Sequence, residues 1–306
     1  MKYVTSLLRR FYGKLIVPVI SSYYRKTTEY TNTGKIALCC IAKLENEYIR
    51  FFVEYYKNLN FDKIIIYDNN EPDGELFEDV IDDYIKSGFA EIINFRGKKS
   101  AIKDAYQDCY GRYNKEYDWI AYFYCDEFLT FAEDTKDIHS FLSQEIYSPY
   151  QIIQINWMVY GDNEMLDTDG KNVIERFKNP IKPYDFKTIY QKFPENGHIK
   201  SILRGGLHHI VWNSPHYPTN RYYRCCNPRG KTVTISHKQE IDYSKAYLRH
   251  YSTKTIGEWV KYKIMKGNTV YSIGETSFDA FYRYNKKTEE KERYAKALMS
   301  KFGIIN

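Results

Sequence analysis

At 306 residues, 43% hydrophobic and 27% charged, the chain can bury a core as one large domain or two smaller ones, and its composition excludes a disordered chain. Its net charge of +6 comes from 45 basic and 39 acidic residues interspersed along the sequence. That mild, mixed field favours an anionic small substrate or a membrane surface over nucleic acid. The 32 tyrosines and 17 phenylalanines supply ring area suited to carbohydrate or nucleotide surfaces, although biased codon usage accounts for many of them equally well.

Residues 3 to 26 mix apolar side chains such as Leu7, Leu8, Phe11 and Ile16 with Arg9, Arg10, Lys14, Arg25 and Lys26. We read residues 1–34 as a basic amphipathic segment suited to peripheral contact with an anionic membrane, with Pro18 breaking it near the middle. The same pattern also suits an ordinary amphipathic helix packed on the domain. No secretory cleavage signal and no bilayer-length apolar run is present, so the expected location is cytoplasmic, with peripheral contact on the inner membrane face. Six cysteines, Cys39, Cys40, Cys109, Cys125, Cys225 and Cys226, show no C-x-x-C spacing and are expected as reduced, buried thiols.

Residues 36–42 form a continuous apolar run, the mark of a buried strand. A polar turn (Lys43 to Glu47) follows, and then Ile49, Phe52, Val53, Tyr56 and Leu59 recur at helical spacing. Residues 63–67 predict a second strand ending in Asp68, Asn69 and Asn70, and Leu76 to Ile85 a second helix. A third strand is predicted at 89–95 and a third helix over 101–110. The run YDWIAYFYCDEFLTF, residues 117–131, then predicts a strand covered on both faces that delivers Asp126 and Glu127 to the edge of an apolar layer.

Alternating strands and helices imply βαβ units and a largely parallel sheet, with the polar strand ends converging on one rim. In such sheets ligands bind outside the carboxyl ends of the strands. Hard carboxylate oxygens there suit a divalent cation that also holds substrate phosphates, although Asp126 and Glu127 equally suit the start of a solvated turn. No G-x-G-x-x-G or P-loop motif is present, so a metal-bridged nucleotide fits better than a dinucleotide.

Further on, a helix is predicted over 134–147, a strand over 151–160 that runs into Gly161, Asp162 and Asn163, and a long irregular region from about 165 to 200. His208 and His209 are expected to alternate across a strand, so that at most one faces a site. A strand is predicted over 245–251, and helix over the last fifty residues with Trp259, Tyr262 and Met265 on one stripe.

The phrases IALCCIAKLENEYIRFFVEYYKNLNFDKIIIYDNN, YDWIAYFYCDEFL, INWMVYGDN, KSILR and AYLRHYSTKTIGEWVKYKIMKG, in that order, resemble bacterial GT-A type glycosyltransferases close to families 2 and 92, over about residues 35 to 270. The resemblance implies a GT-A (Rossmann-like) domain over 35–255 with a C-terminal helical extension over 256–306. It further implies transfer of a sugar from a nucleotide donor, such as a UDP-sugar, to a glycan or lipid-linked acceptor in surface polysaccharide synthesis. A divalent cation, Mn2+ or Mg2+, would sit on the diphosphate, and the anomeric configuration would be inverted.

Such enzymes commonly carry D-x-D at the strand end. Here Tyr124 stands at the first acid and Asp126 at the second, and a phenol is a poor replacement for a carboxylate ligand. Activity could therefore be lost, leaving a nucleotide-sugar-binding protein.

The resemblance assigns Asp126 and His250 to the metal, and Asp68 to the nucleoside alongside Asn69, Lys43, Asn46 and Glu47. His250 equally suits a buried histidine bonded to backbone. Lys254 is a candidate against phosphate or a solvated surface lysine. For the base, Asp162, after a strand, and His216, in a loop bounded by Pro215 and Pro218, are the candidates; both equally suit structural roles, Asp162 as a turn former.

Overall fold

The computed structural model describes residues 17–132, 134–181, 195–219, 222–234, 240–264 and 278–305. The chain runs α1 (Val17–Thr27), β1 (Ile36–Ala42), α2 (Asn46–Asn58), β2 (Lys63–Asp68), α3 (Glu78–Lys86), β3 (Ala90–Asn94), α4 (Ile102–Tyr113), β4 (Trp119–Tyr122) and β5 (Glu127–Phe131). It continues through α5 (Ile138–Leu142), β6 (Ile152–Val159), α6 (Val173–Arg176), β7 (Ile199–Arg204), β8 (Cys225–Cys226), β9 (Thr232–Val233), β10 (Ala246–His250), α7 (Ile256–Glu258), α8 (Phe278–Tyr282) and α9 (Glu289–Lys301).

The sheet order is β3-β2-β1-β4-β7-β6-β10-β5, with β8 and β9 off one side of β6. The first four strands are parallel, as the alternating pattern predicts. Beyond them β7 runs antiparallel between β4 and β6, and β5 runs antiparallel on the edge of β10. The fold is thus mixed α/β with a mostly parallel sheet.

Every residue of β1 is buried. Ile36, Leu38, Cys40 and Ala42 enter the core cluster that also holds Ile49, Phe52 and Tyr56 of α2. Ala37, Cys39 and Ile41 enter the opposite cluster, with Ala105, Tyr106 and Cys109 of α4. This two-sided cover explains why the strand reads as a continuous apolar run rather than an alternating one.

The run 117–131 is split into two strands, where one strand and a pair of acids were expected. Only the four residues Phe123 to Asp126 separate β4 from β5, yet four strand spacings, ~19 Å in a flat sheet, lie between them. Five extended steps reach at most ~17 Å, and here they include a turn in which the Glu127 N–H donates to the Tyr124 carbonyl at 3.1 Å. The sheet therefore curls, and β5 and β10 close over the carboxyl end of β4.

Other departures have local causes. The helix expected over 134–147 is reduced to α5 and a 3-10 turn, Glu145–Tyr147, because Asp137 and Ser140 form a capping box that starts helix only at Ile138. His208 and His209 lie exposed in the turn after β7, not on a strand. That turn needs Gly205 and Gly206: a methyl on Gly205 would lie 2.1 Å from the Tyr117 carbonyl, and Gly206 has φ +79°. Pro18 does not break α1 but sits in its first turn, where proline is tolerated.

Of the expected C-terminal stripe, Trp259 and Tyr262 lie on a π-helix, Trp259–Ile264. Met265, the N-terminal segment up to residue 16, and Pro183 and Pro194 of the long irregular region lie outside the described residues. All six cysteines are buried free thiols. Among the described residues no helix is long and apolar enough to cross a membrane.

Candidate active site

Because β1, β2 and β4 are parallel, the turns after Ala42, Asp68 and Tyr122 open on one rim, at the point where the strand order reverses between β1 and β4. A cavity of about 340 Å³ lies there, lined by Lys43, Glu45, Asp126, His216, His250 and Lys263 among others. The curl of the sheet supplies its far wall: β10 ends at His250 and pairs parallel with β6, so His250 stands opposite Val159, and its ring packs on Trp157 at 4.0 Å between centroids.

Asp126 and His250 come together. Their Oδ1 and Nε2 atoms are 3.6 Å apart, with side chains 12% and 8% exposed. Asp126 Oδ1 is buried without a hydrogen-bond partner, while the Asp126 carbonyl is held by the Tyr251 N–H at 3.0 Å. Burial pushes the His250 imidazole down to about 4, so it is neutral. Burial also pushes the Asp126 carboxyl up, but the positive field of its surroundings outweighs this and holds it below the usual range. His250 where it is protonated, and then Lys263, Lys254 and Lys200, supply that field.

The two donor atoms are closer than twice a ~2.1 Å bond to Mg2+, and a neutral imidazole with an ionised carboxylate is the ligating form of both. Among the described residues no cluster of three or more His, Cys, Asp or Glu suited to an ion is present.

Glu127, expected beside Asp126 at the rim, instead points into the body. Its side chain is wholly buried, Oε2 accepts from the Tyr124 N–H at 2.8 Å, and Lys200 Nζ approaches to 3.5 Å. Burial raises the Glu127 carboxyl to about 7 and lowers the Lys200 ammonium to about 8. Lys200 also lies 2.9 Å from the centre of the Tyr124 ring, so an internal ion pair and a cation–π contact fix the turn that carries Asp126.

The residues proposed around the nucleotide divide. Lys43 lines the cavity and pairs with Glu71 at 2.7 Å. Asp68 shares the rim, but Oδ2 is taken by Arg96 at 2.8 Å and Oδ1 by the Asn70 N–H, so its carboxylate organises the following loop. Asn69 donates to the carbonyls of Phe95 and Lys98, and Asn46 to that of Leu76. Glu47 accepts from the Tyr262 hydroxyl and lines a second, smaller cavity of about 150 Å³ that shares Cys125 and Asp126 with the first. Lys254 is neither solvated nor in the first cavity: it lines the second, 3.9 Å above the Tyr48 ring.

Of the two candidate bases, His216 reaches the cavity wall, with Nδ1 3.2 Å from the Ile199 carbonyl. Asp162 does not line either cavity. It is 3% exposed and pairs with Lys291 of α9 at 2.5 Å, while Oδ1 accepts from the Glu164 N–H.

Lys200, Trp157 and Lys263 were not marked as site residues by the sequence, whereas Glu45 lies in the polar turn expected on the rim. Lys200 left a signal, a lysine inside the apolar strand KSILR; Trp157 and Lys263 depend on how the sheet curls.

The pattern of glycosyltransferase family 92 matches residues 35–295, well over half of the chain. The chain belongs to glycosyltransferase family 92. The GT-A resemblance read from the sequence is met, and the match extends past the residue 270 at which that resemblance ended. No curated protein matches the chain.

Among solved structures, this family 92 chain is similar to S. aureus TarS residues 1–349, at 10% identity and TM-score 0.39 over 74% of this chain and 62% of that one. It is also similar to that TarS fragment in complex with UDP-GlcNAc, at 9% identity and TM-score 0.41 over 88% and 73%. A third is mannosyl-3-phosphoglycerate synthase from Rubrobacter xylanophilus, at 12% identity and TM-score 0.27 over 49% and 46%. The chain thus spans less than two thirds of the length of the first of these.

Proposed function

We propose that this chain transfers a sugar from a nucleotide-sugar donor, a UDP-sugar being the first to test, to a glycan or lipid-linked acceptor in surface polysaccharide synthesis, with inversion, at the inner face of the membrane. The observation that carries the reading is the meeting of Asp126 and His250 on a cavity at the carboxyl rim of β1 and β4. A divalent cation, Mn2+ or Mg2+, would be held by these two side chains, with donor phosphate oxygens completing its shell, and would supply positive charge to the leaving diphosphate. The orphaned Asp126 Oδ1 supports that fit.

Lys43 would face the donor, with Asp68, Asn69 and Asn46 shaping the loops around it and Glu47 beside the second cavity. His216 is favoured over Asp162 as the base for the acceptor hydroxyl, because Asp162 is committed to Lys291. An Nδ1–H on the Ile199 carbonyl would make Nε2 the basic nitrogen.

The test is a donor screen that follows nucleotide release with Mn2+ or Mg2+ added. Release that falls about a hundredfold or more in Asp126→Ala supports the enzyme; no release from any donor, or release indifferent to Asp126→Ala, refutes it.

A second reading, a nucleotide-sugar binder without turnover, is favoured by Tyr124, whose ring is covered by the Lys200 ammonium and whose phenol burial keeps protonated. Donor binding without turnover, with turnover gained by Tyr124→Asp, would establish it.

A further inference from the structure

Four lysines surround Asp126, and their partners separate them. Lys200 is wholly buried behind the wall, against Glu127 and Tyr124. Lys254 faces the second cavity and stands 3.8 Å from Glu45. Lys43 is on the donor cavity but is held by Glu71. Lys263 lines that same cavity with Asp126, Glu45 and His250; its charge acts on the Asp126 and Glu45 carboxylates, but no described acid holds it in a close ion pair.

Its placement is enforced by the helix that carries it. On the π-helix Trp259–Ile264, the side chains of Trp259, Val260 and Ile264 are buried, Lys261 pairs with Asp167 at 3.2 Å, and the Tyr262 hydroxyl donates to Glu47. An α-helical turn would stack Lys263 on the face of Trp259, four residues before it, which packs into the C-terminal cluster. The wider π turn carries Lys263 off that face, and such turns recur at functional sites.

We infer that Lys263 binds the diphosphate of the nucleotide donor and stabilises it as a leaving group, an inference that rests on the nucleotide-sugar reading above. In the transfer, the sugar carbon to phosphate oxygen bond breaks with its electron pair on the diphosphate. The acceptor oxygen bonds to that carbon and yields its proton to a base. Negative charge therefore grows on the diphosphate, where an ammonium not locked in a close ion pair stabilises the transition state more than the ground state.

The experiment is calorimetric titration, with Mg2+ present, of UDP, GDP, ADP, CDP and TDP and the matching monophosphates into wild type, Lys263→Met and Lys263→Arg, with thermal melts as a check on folding. For whichever diphosphate the wild type binds, Lys263→Met is expected to weaken the diphosphate about tenfold, to change the monophosphate less than about twofold, and to leave Tm unmoved, while Lys263→Arg keeps most of the affinity. Equal weakening of mono- and diphosphate, or no weakening, overturns the role of Lys263 alone. Absence of binding of every nucleotide by the wild type overturns the nucleotide-sugar reading, and this inference with it.

Discussion

The buried pair Arg176–Glu258 offers the sharpest test of how the chain after β10 is fastened to the body. Two guanidinium nitrogens of Arg176 reach the two carboxylate oxygens of Glu258 at 2.8 and 2.7 Å, with both side chains 1% exposed. The Tyr48 hydroxyl from α2 donates to Oε1 at 2.6 Å, and the Thr255 N–H and hydroxyl donate to Oε2. Burial alone would raise this carboxyl, but Arg176 and the other donors overcome it and hold Glu258 at about 2. Set against an ordinary glutamate near ~4.3, that depression corresponds to ~3 kcal/mol of folding stability.

Since the folded value is the lower one, this stability is fully present above about pH 4.3 and is lost as pH falls through about 2. Arg176→Met strands a buried carboxylate and should cost ~3–5 kcal/mol, whereas Arg176→Met with Glu258→Leu should cost much less, because no uncompensated charge is left inside. Urea unfolding at pH 7 reads the first comparison. Acid titration of stability reads the second: Glu258→Gln should flatten the loss between about pH 4 and pH 2. A single variant costing under about 1 kcal/mol, or an acid profile that Glu258→Gln leaves unchanged, would refute the assignment.

Three further outcomes follow from the packing. Lys200→Met should destabilise the chain by about 3 kcal/mol or more in urea melts and move the Asp126 turn, while Lys200→Met with Glu127→Gln should recover part of that loss. Gly205→Ala should cost about 3 kcal/mol or more, read in the same melts, because its methyl would fall 2.1 Å from the Tyr117 carbonyl and 2.5 Å from that of Asn114. The six buried thiols, with Cys39, Cys40 and Cys125 pushed up by burial, should react with a thiol reagent only as fast as the chain opens, so that a fast-reacting native thiol would contradict their burial.

The parallel half of the fold was legible because its information is local. Apolar runs of strand length, helical spacing between them and polar strand ends fix β1 to β4 and their helices through the periodicities of the backbone itself, and parallel strands must then gather Asp68 and Asp126 on one rim. The sequence also marked Asp126 and His250, through a resemblance carried by short phrases.

What lay beyond it depends on distant segments meeting. Nothing in EFLTF says that it pairs with AYLRH instead of continuing β4, and only that pairing turns Glu127 inward to Lys200 and stands His250 over Asp126. Likewise Asp162 reads as a strand-end acid until α9 brings Lys291 to it, and Asp68 as a nucleotide acid until Arg96 folds back. A carboxylate's role is set by the charge that reaches it, and that charge comes from residues remote in sequence, so only the tertiary structure decided it.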